Sequence, residues 1–197
     1  LTASDIELTQ NGDDWSINLK SSGAHRSGTL LLNVTAMDAV GLSTSQQVTV
    51  IVKPVNDRPY VDVATLEFSA TEDATPTGQS ISSLIGTHFK DADANSSLQG
   101  MAIQWNNVAS SQGVWQYSLD AGSTWSNMPS DLASNSLNTA LYLSASNWLR
   151  FVPASNFSGA SSSMLYRVVD DSFPATTPGS RINLLNWNNG NSASDPI

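Results

Sequence analysis

The sequence predicts an all-β protein built as two β-sandwich domains in tandem. Apolar residues recur with period two along most of the chain, the spacing of half-buried strands. Clusters of Gly, Asn, Asp and Ser separate these runs, as turns do in all-β folds. The pattern breaks once, at Lys53-Pro54-Val55-Asn56-Asp57-Arg58-Pro59. Here an alternating run (Val48, Val50, Val52) ends, and another opens at Tyr60 and Val61. The reading is therefore a first domain over 1–55, a linker over 56–59 and a larger second domain over 60–197.

In the first domain, Ile6/Leu8, Trp15/Ile17/Leu19, Leu30/Leu32/Val34 and Val48/Val50/Val52 mark four strands. A loop at Asp38-Ala39-Val40-Gly41 separates the last two, with a glycine free to take positive φ. Four strands are only part of a sandwich, because a lone sheet leaves one apolar face wet. The missing part is expected upstream of Leu1, or the second domain covers the face. In the second domain, strand patterns fall at Val61/Val63 with Leu66/Phe68, Ile81–Phe89, Met101–Trp105, Val114–Leu119, Thr124–Met128, Trp148–Val152, Met164–Val169 and Ile182–Trp187. Ser82–Gly86 can alternatively form a single helical turn. Val114–Leu119 and Thr124–Trp125 read as a hairpin turned by Asp120 and Gly122.

Composition narrows the function. A net charge of −9 argues against a phosphate-binding surface, since nucleic-acid binders neutralise phosphates with Lys and Arg. With no cysteine, disulfides, thiolate metal sites and thiol nucleophiles are excluded. A disulfide-free extracellular domain suits a bacterial surface, where metal can replace the covalent staple. No run has the apolar length of a membrane-spanning helix. Leu1 opens inside a strand-like pattern with no signal peptide, so the sequence reads as an excerpt from a longer chain. Catalysis is not expected: His25 and His88 are the only histidines, and no GxSxG, HExxH or phosphate-cradling glycine loop is present.

Acidic residues sit at loop positions: Asp38, Asn56-Asp57, Glu72-Asp73, Asp91-x-Asp93-x-Asn95 and Asp170-Asp171. Side chains at i, i+2 and i+4 converge where a backbone curls around calcium, which takes six to eight oxygen ligands. An EF-hand is excluded, because Ser96 and Ala102 stand where its glycine and glutamate are required. Solvated aspartates capping turns are the plainer reading of each pair alone. Trp115, Tyr117 and Trp125 are the candidates for ligand recognition, as an aromatic platform on the hairpin. The competing reading places them in the core, because Gln116 and Ser118 alternate with them.

The order Glu72-x5-Gly78, Asp91-x-Asp93-x-Asn95, Asp170 resembles a cadherin repeat, and Val55-Asn56-Asp57-x-Pro59 resembles the cadherin linker. Ala36-x-Asp38-x-x-Gly41 is similar to the loop before a repeat's last strand. Leu84-Ile85-Gly86-x-x-Phe89-x-Asp91-Ala92-Asp93, Gly113-x-Trp115-Gln116-Tyr117-Ser118, Gly122-x-Thr124-Trp125, Leu149–Pro153 and Asn156-Phe157-x-Gly159 resemble phrases in the tandem repeats of giant bacterial RTX adhesins. The likeness covers roughly 55 to 170. It implies tandem Ig/cadherin-like β-sandwiches joined by a calcium-binding linker, on a secreted bacterial cell-surface protein acting in cell adhesion and biofilm formation. Asn56, Asp57, Asp91, Asp93, Asp170 and Asn95 would then hold Ca2+ at the joint, while Glu72 and Asp38 would serve neighbouring junctions. Pro54 stands where that linker carries its leading aspartate, and the second domain is longer than a cadherin repeat. Two other roles fit the same residues. One is an adhesin tip that binds a peptide or glycan on a host or neighbouring cell; the long Asp170–Trp187 stretch could shape its site. The other is a carbohydrate-binding or linker module of a secreted polysaccharide-degrading enzyme. Neither nucleic-acid binding nor membrane insertion is expected.

Overall fold

The computed structural model describes residues 5–12, 14–20, 25, 27–63, 66, 68–133, 139–160 and 163–184. The chain is all-β, with almost no helix. It divides into two compact units, Leu1–Val55 and Asn56–Ile197.

The first unit contains two antiparallel hairpins. Strands β1 (Ile6–Asn11) and β2 (Asp14–Leu19) pair Leu8 with Ile17 and Ile6 with Leu19. Strands β3 (Gly28–Met37) and β4 (Ser43–Val52) pair along their whole length, from Gly28 with Val52 to Met37 with Ser43. Each hairpin is a separate two-stranded sheet. Two-stranded sheets cannot cover both of their faces, and Leu8, Trp15, Leu31 and Ile51 stand exposed.

The second unit is built on two four-stranded antiparallel sheets. Its strands are β5 (Tyr60–Val61), β6 (Gln79–Ser80), β7 (Phe89–Lys90), β8 (Leu98–Asn106), β9 (Gly113–Ser118), β10 (Ser126–Asn127), β11 (Ala140–Ser144), β12 (Trp148–Pro153), β13 (Met164–Asp170) and β14 (Arg181–Ile182). One sheet runs β10-β9-β12-β6 and the other β13-β8-β11-β14, while β5 and β7 pair separately. The inward residues of both sheets share one core: Trp115, Leu149 and Phe151 from the first, Met101, Ile103, Leu141, Leu143, Tyr166 and Val168 from the second. Helix α1 (Ile81–Ile85) closes an end of it. Its Ile81, Leu84 and Ile85 share a buried face at i, i+3 and i+4. Ser80 caps it, its hydroxyl accepting the Ser83 N–H at 3.1 Å. The alternative of a helical turn is thus the one adopted, and the strand reading of Ile81–Phe89 gives way to α1 followed by β7. No helix among the described residues is long and apolar enough to cross a membrane.

The second sheet is buried on both faces. Its outer residues Ala102, Ala140, Tyr142 and Val169 pack with Phe173, Ile182 and Leu184 in a second cluster. The chain after β13 folds back across this face. Gly179 N–H donates to Tyr142 O at 2.8 Å, Tyr142 N–H donates to Ser180 O at 3.0 Å, and the Phe173 ring stacks on Tyr142 with centroids 5.6 Å apart. The length of the Asp170–Ile182 stretch is used to cover a sheet. Of the strand expected over Ile182–Trp187, only Ile182 is β among the described residues, as the end of β14, and Trp187 lies outside them.

Candidate metal centre

Three segments of the second unit meet at one end of β13. The first is its opening residues, Asn56 and Asp57. The second is the Asp91–Ser97 loop between β7 and β8, and the third is Asp170-Asp171. The Asn56 side-chain amide donates to Asp57 O at 2.8 Å and to Asp170 Oδ2 at 3.2 Å. The Asp57 N–H donates to Asp93 Oδ2 at 2.6 Å. Within the loop, Asp91 Oδ1 accepts the Asp93 N–H at 2.8 Å and Asp91 Oδ2 accepts the Ser96 hydroxyl at 2.9 Å. Asn95 takes φ 71°, which curls the loop; asparagine tolerates that region better than most residues. Asp171 Oδ1 accepts the Ser97 N–H at 3.4 Å, joining loop to strand end.

Asp170 is the electrostatic centre of this cluster. It is fully buried (0% exposed). Its Oδ1 accepts the Ser172 N–H at 2.9 Å and the Ser172 hydroxyl. Burial pushes its pKa above the ordinary aspartate value; bonds from Ser172 and Asn56 oppose that rise, and the Asp91 carboxylate reinforces it. Neither Asp91, Asp93 nor Asp170 forms an ion pair among the described residues. A buried carboxylate facing another without a counter-charge is an arrangement that a cation stabilises and that its absence penalises. Carboxylate and amide oxygens, with no thiolate or imidazole, suit a hard ion of the calcium class. No group of three or more His, Cys, Asp or Glu side chains among the described residues is gathered closely enough to hold a metal ion by itself. The carboxylates here are engaged with loop N–H and hydroxyl donors.

Of the remaining expected ligands, Asp38 and Glu72 lie elsewhere, while Asn95 belongs to the Asp91–Ser97 loop. Asp38 closes the β3–β4 turn, its Oδ1 accepting the N–H groups of Val40 at 3.0 Å and Leu42 at 2.9 Å. Glu72 is exposed in the chain between β5 and β6. Asn95 is exposed. His88 pairs with Asp62 at 3.0 Å, and Lys90 reaches the same carboxylate at 3.1 Å; both lower the Asp62 pKa, Lys90 more strongly.

The three aromatic candidates separate. Trp115 is 6% exposed, edge-on to Phe68 at 4.8 Å and tilted against Phe151 at 5.3 Å. Tyr117 is half-buried against the same core. Trp125 lies under the Arg150 guanidinium, 4.0 Å from its centroid, and its indole N–H donates to Gly122 O at 2.9 Å. On β12, Leu149 and Phe151 point inward, so Arg150 and the ring beneath it face outward. Trp125 precedes β10, and the residue opposite Tyr117 is Ser126. The platform of three aromatics on one face is therefore not assembled.

Comparison with protein-family models, curated proteins and solved structures returned no match.

Proposed function

We propose that this chain is a calcium-dependent, extracellular module of a bacterial RTX-type surface adhesin, composed of tandem cadherin-like β-sandwiches. The observation that carries the reading is Asp170, a fully buried carboxylate without an ion pair, facing Asp91 and bonded to Asn56. Asn56, Asp57, Asp91, Asp93 and Asp170 would hold Ca2+. When bound, the ion supplies the positive charge that these carboxylates lack. Asn56 and Asp57 immediately follow the residue at which the first unit ends. Fixing them to the Asp91–Asn95 loop and to β13 fixes the direction in which the chain enters the second unit. A string of such modules would stand away from the cell and present a distal binding tip. The role is one of spacing and adhesion, without catalysis.

The test is small-angle scattering of the 197-residue chain with calcium and with EDTA. Calcium should narrow the distribution of distances between the two units, and Asp57→Ala or Asp93→Ala should restore the broad distribution even in calcium. Identical profiles under all conditions would refute an ion-set joint.

A further inference from the structure

The turn that joins β1 to β2 begins with an asparagine followed by a glycine, Asn11-Gly12. Asn11 pairs with Asp14, which leaves a two-residue connection. Gly12 stands first in it with φ 65°, and both common two-residue hairpin turns require a positive φ there. Asn11 is exposed, and a Cβ added to Gly12 would meet nothing within 4 Å. Neither the Asn11 side chain nor the Gly12 N–H has a hydrogen-bond partner among the described residues.

A backbone nitrogen can attack the side-chain carbonyl carbon of the asparagine before it, because the product is a five-membered ring. A side chain on the attacking residue crowds that approach, and a hydrogen bond to its N–H restrains it. Glycine brings no crowding. Other asparagines show both obstacles. Each of Asn56, Asn95, Asn127 and Asn156 is followed by a residue with a side chain. The N–H that follows is also engaged: Asp57 donates to Asp93 Oδ2 at 2.6 Å, Ser96 to Asp93 O at 3.3 Å, Met128 to Trp115 O at 2.8 Å and Phe157 to Ala154 O at 3.0 Å. A second Asn-Gly, Asn189-Gly190, lies outside the described residues. In the closed hairpin, the extended backbone of Asn11 holds Gly12 N away from the carbon it would attack, so the end pair must open first. That pair closes a two-stranded sheet with no third strand to support it, and such ends open at little cost.

We propose that Asn11 is a site of spontaneous deamidation and that its conversion loosens the β1–β2 hairpin. Gly12 N gives up its proton and bonds to Asn11 Cγ; the bond from Cγ to Nδ2 breaks, and Nδ2 leaves as ammonia. Water then adds to one carbonyl carbon of the succinimide ring and breaks its bond to Gly12 N. Opening at Cγ gives aspartate. Opening at the main-chain carbonyl carbon gives isoaspartate, in which the chain runs through the former side chain. Water is the only co-reactant, and nothing is oxidised or reduced. Isoaspartate adds a carbon to the main chain at the residue that enters the turn. Loop length sets hairpin register, so the lengthened chain no longer places residue 11 opposite Asp14. Both products also add a carboxylate to a segment that continues Asp13-Asp14, where like charges repel.

The test is peptide mapping of the full 197-residue chain after prolonged warm incubation near neutral pH, folded and in urea. Lys20 is the first basic residue, so trypsin releases Leu1–Lys20 with Asn11 and Asn18 in one peptide. In the folded chain, the mass gain of an amide-to-acid conversion should accumulate at Asn11 ahead of Asn18, Asn56, Asn95, Asn127 and Asn156. Electron-transfer fragmentation should find isoaspartate there beside aspartate, which direct hydrolysis of the side chain would not produce. Hydrogen exchange over β1 and β2 should be faster in the aged chain than in the fresh one. Asn11→Gln, whose cyclisation needs a six-membered ring, should lose both the modification and the change in exchange. Conversion of Asn11 in urea but not in the folded chain would overturn the proposal, with the hairpin shielding the site. A rate no greater than at the other asparagines, or acid without isoaspartate, would overturn it equally. Isoaspartate with unchanged exchange would refute the loosening.

Discussion

The side-chain amide of Asn56 donates to Asp170 Oδ2 at 3.2 Å, across 114 residues of sequence. The bond ties the first residue of the second unit to the last residue of β13. It is one of the few donors reaching a carboxylate that is otherwise sunk in protein.

Asn56→Ala removes that donor and leaves Asp170 with Ser172 alone. A hydrogen bond to a charged group contributes about 1.5–3 kcal/mol. Urea unfolding in EDTA should show a loss of that order for the second unit.

The pH dependence should carry two opposite signatures. The folded-state pKa of Asp170 is raised by burial and by Asp91. The native state therefore binds its proton more tightly than the unfolded chain. In EDTA this group's contribution to stability is fully present below the ordinary value of 3.8 and is lost as pH rises through the raised value. Asp120 runs the other way. Bonds from Thr124 and Ser118 lower it to about 2, so its contribution is present above 3.8 and is lost as pH falls toward 2. Thermal melts against pH in EDTA should show that Asp170→Asn flattens the upper limb and Asp120→Asn the lower one.

Trp115 and Trp125 should behave differently on truncation. Trp115→Ala empties a core site and should cost about 3–5 kcal/mol. Trp125→Ala loses one hydrogen bond and a partly buried cation–π contact, together about 1–2 kcal/mol. Equal losses in chemical denaturation would contradict the assignment of one ring to the core and the other to the outer face.

Gly113, at the start of β9, has φ +143°, and a Cβ there would sit 2.4 Å from Val152 O and 2.7 Å from the Phe151 ring. Gly113→Ala meets backbone strain and a clash together, so it should destabilise by more than about 1 kcal/mol. A melting temperature equal to wild type would show that β9 and β12 approach less closely.

What could be read from the sequence depended on whether a strand has one wet face. Strands β1 to β4, β9 and β12 alternate visibly, because one side of each is apolar and the other polar. Strand β11 was not predicted. Ala140-Leu141-Tyr142-Leu143 is buried on both faces, so it shows an unbroken apolar run with no period. The cause is the return of Phe173–Leu184 over the outer face, a long-range event without local signature. At the candidate centre, the Asp-x-Asp-x-Asn spacing identified a curled loop, and Asn56, Asp91, Asp93 and Asp170 do come together. That Asp170 is the fully buried member could not be read from an Asp-Asp pair in a polar stretch. The role of Ser96 and Ser172 as donors to the carboxylates was also missed, since serine is abundant throughout. The aromatic platform expected of Trp115, Tyr117 and Trp125 on the hairpin does not form, because Trp125 lies before pairing resumes at Ser126.

The most direct test of calcium dependence is thermal unfolding of the wild-type chain across a calcium titration to millimolar concentration, with EDTA reversal. Binding to the folded state alone adds about 2.7 kcal/mol at a hundredfold excess over Kd. The melting temperature should therefore climb by several degrees with calcium and return with EDTA, and Asp170→Asn should abolish the climb. A melting curve that does not move over the whole titration would contradict the account.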